Sequence, residues 1–269
     1  MKSDDGRLVL NCFAGCKFED IIDVLQARGI IGTDRLCRAR RALAPYVKPG
    51  PTEHLPDARA ALSWNNSVPL QGTLGQTYLG RRGILNMPPS LRYHRETRAM
   101  LAGFQRPDGK IVGAQSTFLT KDAEKITSRF PRLTYADMRD GAVRLAAAAE
   151  VMGLAEGTET ALSAMAMSGV PTWVTLGAGR MHDVALPDLV REVHIFADND
   201  KSGSGRNAAH RTADVHLKAG RCVKVWFPPE GVKDFNQLAT DLADHDSDMD
   251  RLMGILQATA LAPKIGCAA

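Results

Sequence analysis

The sequence predicts an α/β protein: a mainly parallel sheet flanked by helices in its second half, preceded by a mixed α+β region and a small N-terminal unit. Three observations carry this. Residues 148–240 alternate short apolar runs with helix-patterned stretches, strand then helix then strand. The chain has 269 residues, 44% of them hydrophobic and 24% charged, enough for a real core and, by length, about two domains. The charge is also unevenly divided. Residues 1–147 hold 23 Lys+Arg and 14 Asp+Glu, a balance of +9, and residues 148–269 hold 11 and 16, a balance of −5, which sum to the net +4. A basic part beside an acidic part suggests one surface for a polyanion and another for cations. A disordered or fibrous chain is excluded by composition. No apolar run nears the roughly 18 residues of a membrane span and no signal-peptide pattern opens the chain, so the expected place is the cytoplasm, with no membrane partner.

In chain order, residues 1–44 form the first expected unit. Leu8-Val9-Leu10 is a short apolar strand, and Cys12 and Cys16 follow in a turn. Apolar Phe18, Ile21, Ile22 and Leu25, spaced by three and four, predict a helix over 18–27. Residues 45–57, with Pro45, Pro49, Gly50, Pro51 and Pro56, read as an extended linker. Residues 58–147 are expected to be mixed. A helix over 73–82 stops at Gly83, and the apolar runs 101–104 and 111–114 flank Pro107-Asp108-Gly109, which predicts a β-hairpin. Residues 148–240 predict strands at 151–155, 172–175, 193–196 and 223–226, with helices over 158–168 and 207–219, each stopped by a glycine, Gly169 or Gly220. The tail, 241–269, is acidic and then reads as a short apolar helix.

In open parallel sheets, ligands sit outside the carboxyl ends of the strands. Just past these strands stand Glu156, then Asp198-Asn199-Asp200, then Lys233-Asp234-Phe235-Asn236. Any one of these alone is weak evidence, since an Asp after a strand often only caps a helix. Three in order, each after a strand, are much stronger. Converging carboxylates repel unless a cation neutralises them. Mg²⁺ suits such a site because it takes one or two carboxylates together with waters and substrate phosphates. Other nucleotide chemistries lack their signatures: there is no Gly-x-x-x-x-Gly-Lys-Ser/Thr, and no Gly-x-Gly-x-x-Gly follows the first strand of this region.

The segments Leu154-Ala155-Glu156-Gly157-Thr158-Glu159-Thr160-Ala161-Leu162, Ile195-Phe196-Ala197-Asp198-Asn199-Asp200 and Gly231-Val232-Lys233-Asp234-Phe235-Asn236 resemble the Toprim domain, a Rossmann-like fold, in the form found in phage- and plasmid-type DNA primases. Upstream, Thr77-Tyr78-Leu79-Gly80-Arg81-Arg82-Gly83-Ile84 and Pro107-Asp108-Gly109-Lys110-Ile111-Val112-Gly113 are similar to segments of the primase core. The resemblance implies catalytic roles for Glu156, Asp198 and Asp200 and metal binding by these three with Asp234, the ion being Mg²⁺ or Mn²⁺. Glu159 departs from bacterial primases, which place an Asp one position later, where Thr160 stands. The N-terminal unit resembles the second half of a primase zinc module, whose earlier ligands would stand before Met1. Cys12 and Cys16 alone fall short of four zinc ligands, even with Cys37 as a third, so zinc is not expected.

The implied function is a DNA primase: a nucleotidyltransferase joining ribonucleoside triphosphates into short RNA primers on single-stranded DNA, in phage, plasmid or mobile-element replication, with a replicative helicase as a possible partner. Arg81, Arg82, Lys125, Arg144, Lys201 and Lys233 are the candidate contacts for template and nucleotide. With 6% aromatic residues, electrostatics should outweigh base stacking. The alternatives are a Toprim nuclease using the same carboxylates, or a DNA-binding replication accessory protein without catalysis.

Overall fold

The computed structural model describes residues 18–28, 57–136, 138–199 and 203–244. Chain contacts divide it into two units, Met1–Glu53 and His54–Ala269. In the first, α1 (Phe18–Ala27) forms over the residues whose spacing predicts it, with Ile22 buried. The Leu8-Val9-Leu10 strand, Cys12, Cys16 and the linker up to residue 56 lie outside the described residues.

The second unit opens with α2 (Ala58–Asn65), capped by the Asp57 carboxylate, which accepts the Arg59 amide at 2.8 Å. The pattern did not mark this helix, because five of its eight residues are Ala, Ser or Asn and give little periodicity. β1 (Val68–Pro69) follows, then α3 (Leu74–Gly80), capped by Thr73. β2 (Leu91–His94), β3 (Ala99–Gln105), β4 (Ile111–Phe118) and β5 (Arg132–Ala136) complete an antiparallel sheet in the order β1-β2-β3-β4-β5. β3 and β4 are the predicted hairpin. Its turn needs Gly109, at φ +83°, and the Asp108 carboxylate accepts the Lys110 amide at 3.0 Å.

The second sheet contains β6 (Val143–Arg144), β7 (Val151–Ala155), β8 (Thr172–Val174), β9 (Glu192–Phe196) and β10 (Cys222–Trp226), in the order β10-β9-β7-β8-β6. All pairs are parallel except β6 with β8. The strands between β6 and β10 are almost wholly buried, the mark of a sheet covered on both faces. The helices are α4 (Thr158–Ser168), a 3₁₀ helix (Ala178–Asp183), α5 (Ser204–Lys218) and α6 (Phe235–Asp244). α4 spans the predicted residues, and Gly169 ends it in the left-handed conformation. α5 starts three residues before the expected 207. α6 lies across the expected start of the tail at 241, because Phe235 and Leu238 pack into the core and carry the helix on.

Ala161 and Leu162 of α4 and Phe235 and Leu238 of α6 pack on Ala155, Val174 and Phe196. Ala209 and Ala213 of α5 and Met181 of the 3₁₀ helix pack with Met152, Leu154, Val193 and Ile195. The sheet therefore has helices on both faces. The chain leaves β7 for β8 on one side and returns to β9 on the other, so the direction reverses between β7 and β9, where such folds bind ligands. The face under α4 shares its core with Tyr78 and Leu79 of α3 and with Met100 and Phe104 of the antiparallel sheet. Gln105 and Ala142 exchange two backbone hydrogen bonds, at 2.9 and 3.0 Å, which join the two sheets.

Candidate active site

Three strands end level. Ala155 pairs in register with Phe196, and Phe196 with Trp226, so whatever follows each of them emerges at one edge. Glu156 follows β7, with its carbonyl accepting the Leu176 amide at 3.0 Å. Asp198 lies two residues past β9. The Asn199 amide donates to the Lys233 carbonyl at 2.7 Å, which ties the loop after β9 to the loop after β10 and brings Asp234 alongside.

The electrostatics report the convergence. Burial, then the charges of Glu156 and Asp234, push the Asp198 carboxyl up to about 7; the Thr160 hydroxyl, 3.4 Å from its Oδ1, and the nearby Lys233 partly offset this. Asp234 also serves the fold, since its Oδ1 accepts the Gln237 amide at 2.9 Å and caps α6. Asp200 and Lys201 lie outside the described residues. Among the described residues, no three His, Cys, Asp or Glu side chains are grouped to hold a metal unaided. A crowded, all-oxygen carboxylate pair fits a hard divalent ion that fills its shell with water and phosphate oxygens, and does not fit a closed zinc site. Glu156 and Asp198 would hold such an ion.

Cations approach from the antiparallel sheet. The Lys125 ammonium is held below the usual lysine range by burial and by Arg132, Arg82 and Lys233, with Glu159 opposing. The Arg82 guanidinium lies over the Tyr78 ring at 4.7 Å and donates to Asn236 Oδ1 at 3.4 Å. Asn236 Nδ2 donates in turn to the Arg82 carbonyl and to Ser163 Oγ, both at 3.0 Å. Lys233 is exposed at the carboxylate edge. Arg81 is exposed and 3.5 Å from Glu124. Arg144 is elsewhere: on β6, the edge strand opposite β10, it lies over Trp173 at 4.7 Å and donates to the Arg106 carbonyl at 2.7 Å.

Glu159 has partners other than the carboxylate cluster. It is buried, with Oε1 accepting from the Tyr78 hydroxyl at 2.5 Å and from Arg132 Nη2 at 2.7 Å. Burial alone would raise its proton affinity, but the Arg132 charge and the Tyr78 donor outweigh burial and hold the carboxyl below its ordinary value. Burial and the Glu159 charge push the Tyr78 hydroxyl up, so it stays a donor. Sequence reasoning did not single out Tyr78, Thr160, Asn236 or Arg132. The first three lie inside the motif segments; Arg132 has no local signal, since its partner is 27 residues away.

Residues 151–244 match the family model described as "Toprim domain". Residues 56–145 match a model described as a domain of unknown function, DUF7146. No curated protein matches the chain. Among solved structures, a DNA primase domain from Pseudomonas aeruginosa is 17% identical, with a TM-score of 0.44, over 75% of this chain and 58% of that one. The primase fragment of the bacteriophage T7 primase-helicase is 20% identical, TM-score 0.44, over 81% of this chain and 83% of that one. The E. coli primase catalytic core is 15% identical, TM-score 0.44, over 76% and 82%.

Proposed function

We propose that this chain, whose residues 151–244 are a Toprim domain, is a primase-type nucleotidyltransferase that joins ribonucleotides on single-stranded DNA. The observation that carries the reading is the level edge of the parallel sheet, where Glu156, Asp198 and Asp234 converge beside Lys233, with Lys125 and Arg82 gathered near that lysine. Acid next to base is the pairing that metal-assisted phosphoryl transfer needs: carboxylates for the ion, cations for the phosphates. The phage, plasmid or mobile-element setting and the helicase partner rest on the sequence resemblance.

Glu156 and Asp198 would hold the ion, Mg²⁺ or Mn²⁺, which would supply charge neutralisation and Lewis acidity at the reacting phosphate. Glu156, at the end of the central strand, accepts the proton of the attacking 3′-hydroxyl. The hydroxyl oxygen bonds to the α-phosphorus, the α–β bridging bond breaks, and pyrophosphate leaves with its charge met by Arg82 and Lys233. The Tyr78–Glu159–Arg132 bridge holds the first turn of α4, and hence Thr160, against Asp198.

The test is incubation of the purified chain with single-stranded DNA, the four ribonucleoside triphosphates and Mg²⁺ or Mn²⁺. New short oligoribonucleotides that vanish in Asp198→Asn are expected. Shortened template would identify a nuclease. Salt-sensitive DNA binding with neither product would identify an accessory protein.

A further inference from the structure

The loop from β4 to β5 carries an aromatic side chain that the fold does not use. Phe130 is 57% exposed, while the other phenylalanines and tryptophans whose side chains are described are buried or half-buried. A single exposed apolar residue is ordinary on a protein surface. Two features set this one apart. Its backbone is held at both sides: the Phe130 amide donates to Ser128 Oγ at 3.2 Å, and the Pro131 carbonyl accepts the Phe118 amide at 3.1 Å. Its surroundings are also cationic. The Arg129 guanidinium lies over the ring at 5.3 Å, Lys121 is exposed on the same loop, and Lys125 and Arg132 follow the loop toward the active site.

Position supplies the rest. Arg132, two residues on, is bonded to Glu159 in the first turn of α4, three residues past Glu156. Two residues of extended chain span about 7 Å. A fixed, exposed ring among cations, two residues before the Arg132 that is bonded to α4, has the chemistry of a site for an unpaired base between two phosphates. Free cations alone would hold the phosphates of any polyanion. The ring adds a contact that only a base can make.

We propose that Phe130 is a stacking platform for an unpaired base of the single strand, with Arg129 and Lys125 holding the flanking phosphates. This rests on the polynucleotide reading above and names the residue that the low aromatic content obscured.

The experiment needs no catalysis. The full chain, without metal or nucleotide, is titrated with a fluorescent oligo-dT and with an abasic strand of the same length. The wild type is expected to bind oligo-dT about 10-fold more tightly than the abasic strand. Phe130→Leu, which keeps an apolar side chain, and Phe130→Ala should lose that preference with an unchanged salt dependence, whereas Lys125→Ala should weaken both strands alike and lower the salt slope. Tryptophan emission of Phe130→Trp should change with oligo-dT and not with the abasic strand. Equal oligo-dT affinity in wild type and Phe130→Leu, or equal losses on both strands, overturns the platform and leaves the polynucleotide reading standing. A response of Phe130→Trp to free ribonucleotide but not to oligo-dT overturns the assignment to the strand. A wild type that binds neither strand overturns both readings together.

Discussion

Glu159 stands three residues after Glu156, in the first turn of α4, with Arg132 at 2.7 Å and Tyr78 at 2.5 Å. The two glutamates look interchangeable in the sequence, and their environments separate them. Glu159 is a buried carboxylate with its charge already compensated; Glu156 adds its charge to the crowding around Asp198. Opposite effects follow. Glu159→Ala strands a partly buried Arg132 and should cost about 3 kcal/mol in urea unfolding, and Tyr78→Phe about 1 kcal/mol. Asp198→Asn removes one of several mutually repelling charges, so in metal-free buffer at pH 8 it should gain about 1 kcal/mol. Mg²⁺ should raise the melting temperature of the wild type, and the same variant should lose that rise. A less stable metal-free Asp198→Asn would contradict the convergence of these carboxylates.

At the scale of elements, the parallel half was legible and the antiparallel half was partly so. β7, α4, β9 and β10 stand within a residue or so of their expected bounds, because buried parallel strands are continuous apolar runs and glycines stop the helices between them. The hairpin was legible through its turn. β2, β5 and β6 were not, since each is short or half-exposed: β2 is four residues joined to β3 by a tight turn, and β5 and β6 exist through pairing with strands farther away along the chain. Two glycines test the elements differently. Gly153 lies in the central strand, where a Cβ would meet Thr172 Oγ1 at 2.2 Å and Phe196 Cε2 at 2.8 Å. Gly153→Ala should cost on the order of 2 kcal/mol through overpacking. Gly109 has open space around it but a φ of +83°, so Gly109→Ala should cost about 1 kcal/mol through the backbone alone. Chemical denaturation of both variants checks the ranking.

Over the whole molecule, acid should weaken the fold through buried histidines. Burial and the neighbouring Arg221 push His216 down to about 4, and burial holds His194 below its ordinary value. Both are neutral in the folded chain and titrate near 6.5 when unfolded, so between about pH 6.5 and 4 these two side chains bind more protons in the unfolded state. The Asp198 carboxyl, pushed up to about 7, takes up a proton in the folded chain over the same range and opposes the histidines. In Asp198→Asn stability should therefore fall as the pH drops from 7 toward 4, with a shallower fall when His216→Gln is added; urea midpoints at pH 7.5, 6 and 5 measure it. The charge division also takes its meaning at this scale. Lys233 acts on Asp198 at the carboxylate edge and Lys125 and Arg82 gather with Lys233, whereas Arg144 is spent on Trp173 and the Arg106 carbonyl. The sequence by itself determined the parallel α/β class, the order of its strands and helices, and which carboxylates follow strand ends, because apolar periodicity and strand-end position are local properties. Only the tertiary structure decided that Glu156 and Asp198 crowd one another, that Glu159 is withdrawn from them, and which cations of the basic region face them. Those outcomes depend on strand register and on partners 27 to 81 residues apart, and no local pattern encodes such pairings.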